Sequence, residues 1–470
     1  MLFPTGAFVA FFVVVFAVSW ALARRPRVWK PFMVAASYFF YSGWGWKYMF
    51  LLLGYAVVDW LLGWAILRAK RRRKLLVALG VVLNLLPLFI FKYYGWLAFN
   101  LSELFGGHTL LPLAQLVIPV GISFTAFRGI SYIVDAYRGQ TEEASPIDFM
   151  IYMSFFPYLA AGPIVRTNEL LPQFKSRGRA FKVDVSQALF LIVLGLGKKL
   201  IIGDFLARSL VDGVFSTPGQ YSSLDVVIGI HAYAVQIYCD FSGYTDMALG
   251  IALLLGFRLP QNFDRPYIAS SLREFWRRWH ITLSRWLRDY LYIPMGGSRK
   301  STFATYRNVL VTMVLAGLWH GAGWTFLIWG ALHGTGQAVE HYFITRDKKR
   351  GIEPVPPTGR RLFLKRLFTF EFVCLAWVFF RADSLSAAGD VIARTFTAWN
   401  KMPTFSWLVI LALAVGIGFQ YLPPRVTERL QTILSQRRPV VMGLIVGVLL
   451  FVIVGLLGAE GVTNFIYVGF

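Results

Sequence analysis

The stretch from Asn308 to Phe343 reads NVLVTMVLAGLWHGAGWTFLIWGALHGTGQAVEHYF. Its 36 positions are mostly apolar. As one helix it would run about 54 Å at 1.5 Å per residue, whereas one bilayer crossing needs about 30 Å. The break Gly321-Ala322-Gly323 therefore predicts two half-length helices meeting inside the membrane. His320 lies at that break, in Gly317-Leu318-Trp319-His320-Gly321-Ala322-Gly323-Trp324. A lone His in a membrane helix can simply hydrogen-bond a neighbour and act as packing glue. The flanking glycines favour a second reading, because they free the backbone and let a ligand approach closely. Trp319 and Trp324 can wall an apolar tunnel, where a neutral imidazole can accept a proton from a hydroxyl.

The rest of the chain agrees with a membrane setting. Of 470 residues, 57% are hydrophobic and only 15% charged, whereas a soluble domain carries roughly a quarter charged residues. Disorder is excluded by the same hydrophobicity. Aromatic residues at 17%, with 16 Trp, suit lipid interfaces. The two cysteines, Cys239 and Cys374, stand in apolar surroundings and read as small buried hydrophobes. No spacing matches a metal site. Met1 to Ala23 is an apolar run whose first basic residues, Arg24 and Arg25, follow it. A secretory signal needs them in front, so this run is read as a retained first helix.

The excess of 47 Lys and Arg over 24 Asp and Glu is clustered. Six segments, 24–30, 68–74, 166–182, 273–307, 346–366 and 425–438, hold 35 of the 47. The positive-inside rule places all six in the cytoplasm if the stretches between them cross an even number of times. Spans or hairpins are expected at 31–67, 75–96, 112–137, 184–212, 224–256, 308–343, 367–381, 405–422 and 439–458. Residues 149–165 contain Pro157, Gly162 and Pro163 and read as a broken or re-entrant segment, permitted where protein or a cavity surrounds it. This topology, of ten or eleven spans, leaves Met1 and Phe470 outside. Membrane spans separate the basic clusters, which argues against nucleic-acid binding. No internal repeat is visible, which argues against an inverted-repeat transporter.

Two further segments carry charge beside apolar residues. Between Leu272 and Tyr290, Trp276, Trp279, Leu283, Trp286 and Tyr290 recur every three or four residues, interleaved with Arg273, Arg277, Arg278, Arg285 and Arg288. That pattern predicts one amphipathic, interfacial helix. It either grips anionic headgroups or offers a cytosolic surface for a phosphorylated donor such as coenzyme A. Trp276, Arg277, Arg278, Trp279, Arg285 and Asp289 are its candidate contacts, and His280 is either interfacial or tunnel-lining. In Tyr238-Cys239-Asp240-Phe241-Ser242-Gly243-Tyr244-Thr245-Asp246, two carboxylates lie in an apolar run. Asp240 and Asp246 either orient an Arg or His at a site or neutralise Arg258 or Arg265.

Taken together, Phe155–Arg166, Gln236–Gly250, Asn262–Tyr267, Glu274–Gly297 and Gly317–Gly334 resemble the membrane-bound O-acyltransferase (MBOAT) family, in order along the chain. The bacterial alginate O-acetylation branch is the best match, and Asn464-Phe465-Ile466-Tyr467 resembles that branch's end. The D-alanyl transferase members match less well around Asp240–Leu255 and Trp324–Gly334. The resemblance implies an all-α polytopic membrane protein: one domain over 1–470, core motifs within 150–340. It implies a ring of tilted helices around a central tunnel, with amphipathic and re-entrant helices on the cytoplasmic side. The family's intramembrane His falls on His320, and the branch's second His falls on His280. The implied activity moves an acetyl group from cytosolic acetyl-CoA, a co-substrate and not a resident cofactor, across a bacterial inner membrane. The implied acceptor is an exported or membrane-anchored partner protein and finally a polysaccharide hydroxyl. Peptidoglycan, cellulose-like polymers and teichoic acid are alternative acceptors, and a lipid or polysaccharide transporter is the non-enzymatic alternative.

Overall fold

The computed structural model describes residues 3, 5–107, 116–159, 162–175, 183–353 and 355–423, with isolated positions beyond. The expected span 439–458, the terminal 464–467 motif, His108, and the chain ends Met1 and Phe470 lie outside the described residues. The described residues form helices and turns, with no strand among them. Among the described residues, three helices are long and apolar enough to cross a membrane: Tyr48–Arg68, Arg73–Leu104 and Ser223–Leu254. Gly6–Ala21 and Trp407–Tyr421 are apolar but shorter. The chain divides into two compact units.

The first unit takes the described residues of 1–196 and 244–261. It contains α1 (Gly6–Ala21), α2 (Pro26–Ser42), α3 (Tyr48–Arg68), α4 (Arg73–Leu88), α5 (Tyr94–Leu104) and α6 (Ile122–Arg138). It continues with α7 (Pro146–Ser154), α8 (Phe156–Leu159), α9 (Thr167–Lys175) and α10 (Val185–Leu196). A π-turn at Phe89–Tyr93 joins α4 to α5. Aromatic packing builds the core, with Phe156 against Phe11 and Phe40 at ring distances of 5.2 and 5.7 Å. The breaker-rich segment 149–165 is interrupted at Phe155, and Phe149, Phe155, Pro157 and Tyr158 are buried. Asp59 is buried on α3 and accepts a hydrogen bond of 2.6 Å from Asn84 of α4.

The second unit takes 197–243 and the described residues of 262–430. A π-turn at Gly197–Gly203 leads into α11 (Asp204–Leu206), and a second at Ala207–Val211 leads into α12 (Asp212–Ser216). Helix α13 (Ser223–Leu254) runs through both units. Then come α14 (Leu272–Arg278), α15 (Ile281–Leu287), α16 (Thr302–His320), α17 (Trp324–Lys349), α18 (Gly359–Arg381), α19 (Leu385–Thr397) and α20 (Trp407–Tyr421).

The 308–343 stretch does break at Gly321, where the backbone turns extended at φ −159°. The two helices are not half-length, however. They have 19 and 26 residues and lie side by side as a tight antiparallel hairpin. A Cβ on Gly317 would strike the Phe326 carbonyl, and one on Gly330 would strike the Met313 carbonyl. Small residues at a helix–helix seam allow this backbone approach. Gly330→Ala is therefore expected to lower stability by about 1–3 kcal/mol. Gly389→Ala serves as control, since its Cβ would meet open space. The comparison is read from thermal unfolding midpoints in detergent.

Candidate active site

The expected single helix over 272–290 is two. Ser271 caps α14 by accepting from Glu274 N at 3.1 Å, and Glu274 reaches back to Ser270 N at 2.8 Å, a reciprocal capping arrangement. Helix α14 ends at Arg278. His280 then takes a left-handed conformation, φ 42° and ψ 54°, before α15 begins. Non-glycine residues rarely occupy that region. Asn262 holds it there. Its carbonyl accepts from Ile281 N at 2.9 Å. Its side-chain Oδ1 accepts from Thr282 N and Oγ1 at 3.2 and 2.8 Å.

The same Oδ1 lies 3.1 Å from Nδ1 of His280. An amide oxygen only accepts, so Nδ1 carries the imidazole proton and Nε2 keeps its lone pair. His280 is fully buried, and burial pushes its pKa down to about 3. The ring is therefore neutral at any ordinary pH. Glu274 keeps its charge. Burial works against it, but hydrogen bonds from Ser270 and Arg278 outweigh that and hold its carboxyl below the usual value.

His320 is the last residue of α16 and is 3% exposed. Its ring is boxed by three others, all near edge-on. Trp319 lies at 4.8 Å, Phe380 of α18 at 5.0 Å and Trp329 of α17 at 5.1 Å. Trp319 also meets His280 at 6.1 Å. The two histidines picked out by the sequence thus share one indole. Trp329 continues the cluster to His333 at 5.0 Å and Trp377 at 5.8 Å. Trp276 donates its Nε1–H to Nδ1 of His333 at 3.3 Å, which places the proton of that imidazole on Nε2. Trp279 packs on Trp377 at 5.0 Å and Phe263 at 5.1 Å.

Other candidates sit elsewhere. Trp324, expected to help wall a tunnel, is 53% exposed, and Trp329 lies against His320. Asp240 is buried and paired with Lys199 at 2.6 Å, not with Arg258 or Arg265. Arg265 pairs with Asp264 instead. Asp246, half-buried, falls in the first unit. Arg288 bonds both carboxylate oxygens of Asp289, at 2.7 and 3.1 Å. Arg285 is half-buried.

Arg277 and Arg278 divide sharply. Arg278 bridges Glu274 at 3.0 Å and Asp264 at 3.1 Å, whereas Arg277 is exposed. Arg278→Ala is expected to cost about 1–3 kcal/mol of stability through lost charge-assisted bonds. Arg277→Ala is expected to leave the unfolding midpoint unchanged. Equal midpoints for the two variants would contradict this.

Sequence reasoning passed over Trp329, His333, Phe380 and Asn262. The first two carried a signal: they are four residues apart on one helix, hence on one face. Among the described residues no group of His, Cys, Asp and Glu is placed to hold a metal ion.

A buried imidazole at a helix break thus lies near a second whose tautomer is fixed, inside an apolar helical protein. The chain belongs to the membrane-bound O-acyltransferase family, whose model matches residues 123–380. It is an acyltransferase and an integral membrane protein. It is 40% identical over 405 residues to the probable alginate O-acetylase AlgI of Pseudomonas aeruginosa, covering 84% of this chain and 75% of that one. It is 36% identical over 425 residues to the peptidoglycan O-acetyltransferase of Helicobacter pylori, covering 83% and 79%. To the teichoic acid D-alanyltransferase of Bacillus subtilis it is 27% identical over 331 residues, covering 68% and 80%.

Proposed function

We propose that this protein is a membrane O-acetyltransferase that moves an acetyl group from cytosolic acetyl-CoA to a hydroxyl on the far side of a bacterial inner membrane. The observation that carries the reading is the placement of His320 at the α16–α17 break, ringed by Trp319, Trp329 and Phe380. His320 takes the proton of the acceptor hydroxyl as its oxygen attacks the thioester carbonyl. The carbon–sulfur bond breaks, the ester bond forms, and the imidazolium returns its proton to the departing thiolate. Assistance of this kind contributes about 10²–10⁴-fold.

His280 has a supporting role. With its proton held on Nδ1 by Asn262, its Nε2 orients the donor or relays a proton. The whole chain acts as one membrane domain whose helices ring a tunnel reaching both faces. The basic segments lie in the cytoplasm, so the donor enters beside α14 and α15. Arg277 is one of the exposed cations there, and Arg285 stands on the neighbouring helix α15. Trp276, Trp279 and Asp289 shape that entrance. Arg278, tied to two carboxylates, holds the entrance together more than it binds phosphate.

The acetyl group passes to a membrane-anchored or exported partner protein and then to a polysaccharide. An alginate-like polymer is the acceptor that the similarity to alginate O-acetylases supports. Similarity to a peptidoglycan O-acetyltransferase supports peptidoglycan as the second reading. The test offers the purified protein matched thioester donors: acetyl-CoA, a long-chain acyl-CoA and a D-alanyl thioester. Preferential turnover of acetyl-CoA is expected. Turnover of D-alanyl thioester in its place would overturn the acetyl assignment.

A further inference from the structure

Helices α17 and α18 border an open groove of about 1060 Å³. Its walls are apolar: Val339, Phe343 and Ile344 on α17, and Leu364, Phe368 and Phe372 on α18. Several of these are well exposed, Phe368 at 73%. One end is cationic. Arg360 and Arg361 lie in the first turn of α18 and Lys365 one turn further on, all lining the groove.

The charges at that end are unbalanced. Two acids also line the groove, but both are engaged. Glu340 accepts from Leu272 N at 2.6 Å and Arg273 N at 3.1 Å, so it caps α14. Asp347 is paired with Arg346 at 3.1 Å. Arg360, Arg361 and Lys365 form no ion pair among the described residues. The two arginines also oppose the helix dipole, since the first turn of a helix favours anions. Helix α18 has no acidic residue in that turn, and Thr358 makes no capping bond. An anion lying against this turn would satisfy both the guanidinium groups and the helix amides.

An anion alone leaves the apolar walls unexplained, and an apolar ligand leaves the cations unexplained. From Arg361 to Phe372 the helix runs about 16 Å, so headgroup and chain contacts fall in line along α18. We infer that this groove is a binding site for one anionic glycerophospholipid. Its phosphate lies on Arg360, Arg361 and Lys365, and an acyl chain lies between α17 and α18. The lipid packs beside Leu272 at the start of α14, the helix whose Trp276 bonds His333. The inference needs only that the chain is embedded in a membrane, and it does not depend on the acyl group transferred.

The test is native mass spectrometry of the full chain in mild detergent, titrated with phosphatidylglycerol or with phosphatidylcholine of the same chains. The wild type is expected to retain one phosphatidylglycerol in preference to phosphatidylcholine. The variant Arg360→Gln/Arg361→Gln/Lys365→Gln is expected to bind phosphatidylglycerol at least about tenfold more weakly. Its phosphatidylcholine binding should be unchanged, as should its unfolding midpoint without lipid, because all three side chains are exposed. Phe368→Ser should weaken both lipids. Equal phosphatidylglycerol retention by wild type and triple variant would overturn the assignment. So would equal binding of the two lipids by the wild type, or a co-purifying acyl thioester in place of phospholipid.

Discussion

Replacing His320 by alanine is expected to lower acyl transfer by about 10²–10⁴-fold in a protein that still folds. The imidazole ends α16, and its ring is held by Trp319, Trp329 and Phe380. If it serves only as packing, a side chain of similar volume should substitute well. His320→Gln separates the two roles, because it keeps bulk and hydrogen bonding but cannot take up a proton. As a base acts in the transition state, kcat should fall while the KM for the acyl donor holds. His280→Gln should cost less, since Nε2 of His280 is assigned to orientation or relay. Near-normal turnover by a folded His320→Gln variant would return His320 to a packing role.

Lys199→Met is expected to destabilise the protein by about 3–5 kcal/mol. Lys199 is 1% exposed and forms ion pairs with Asp204 at 2.8 Å and Asp240 at 2.6 Å, both themselves buried. Arg208, 3.9 Å from Asp204, makes a longer pair with that carboxylate. Removing the ammonium leaves two carboxylates buried with their shared cation gone. Neutralising all three groups together costs far less, since buried ion pairs barely repay their desolvation. The triple variant Lys199→Met/Asp204→Asn/Asp240→Asn should therefore recover most of the lost midpoint. Thermal unfolding in detergent checks both. A single variant as stable as wild type would show that the cluster contributes nothing.

Much of this was legible in the sequence, and the reasons it was not complete are local. The membrane setting followed from apolar length and from basic residues gathered between apolar stretches, and the all-helical class from the family resemblance. The break at Gly321 followed from three small residues in a row. What periodicity missed was backbone handedness. Trp276, Trp279, Leu283 and Trp286 keep a helical spacing straight through His280, yet φ there is 42° and the helix divides. The clamp responsible, Asn262, lies 18 positions away. Proximity in sequence does not identify partners. Trp329, nine residues beyond His320, lies against its imidazole. Asp240 was read against arginines close in sequence, while its partner is a lysine 41 positions earlier. Pairing of that range is set by which helices pack together, which hydropathy does not encode.

The proposed function has acetyl groups crossing the membrane through this protein. Proteoliposomes offer the direct measurement, with labelled acetyl-CoA supplied on one side only and a hydroxyl acceptor sealed on the other. Label should reach the acceptor when the donor faces the basic loops, and His320→Gln should abolish it at unchanged protein incorporation. Labelling only when donor and acceptor share a side, or equal labelling by the His320→Gln variant, would contradict the account.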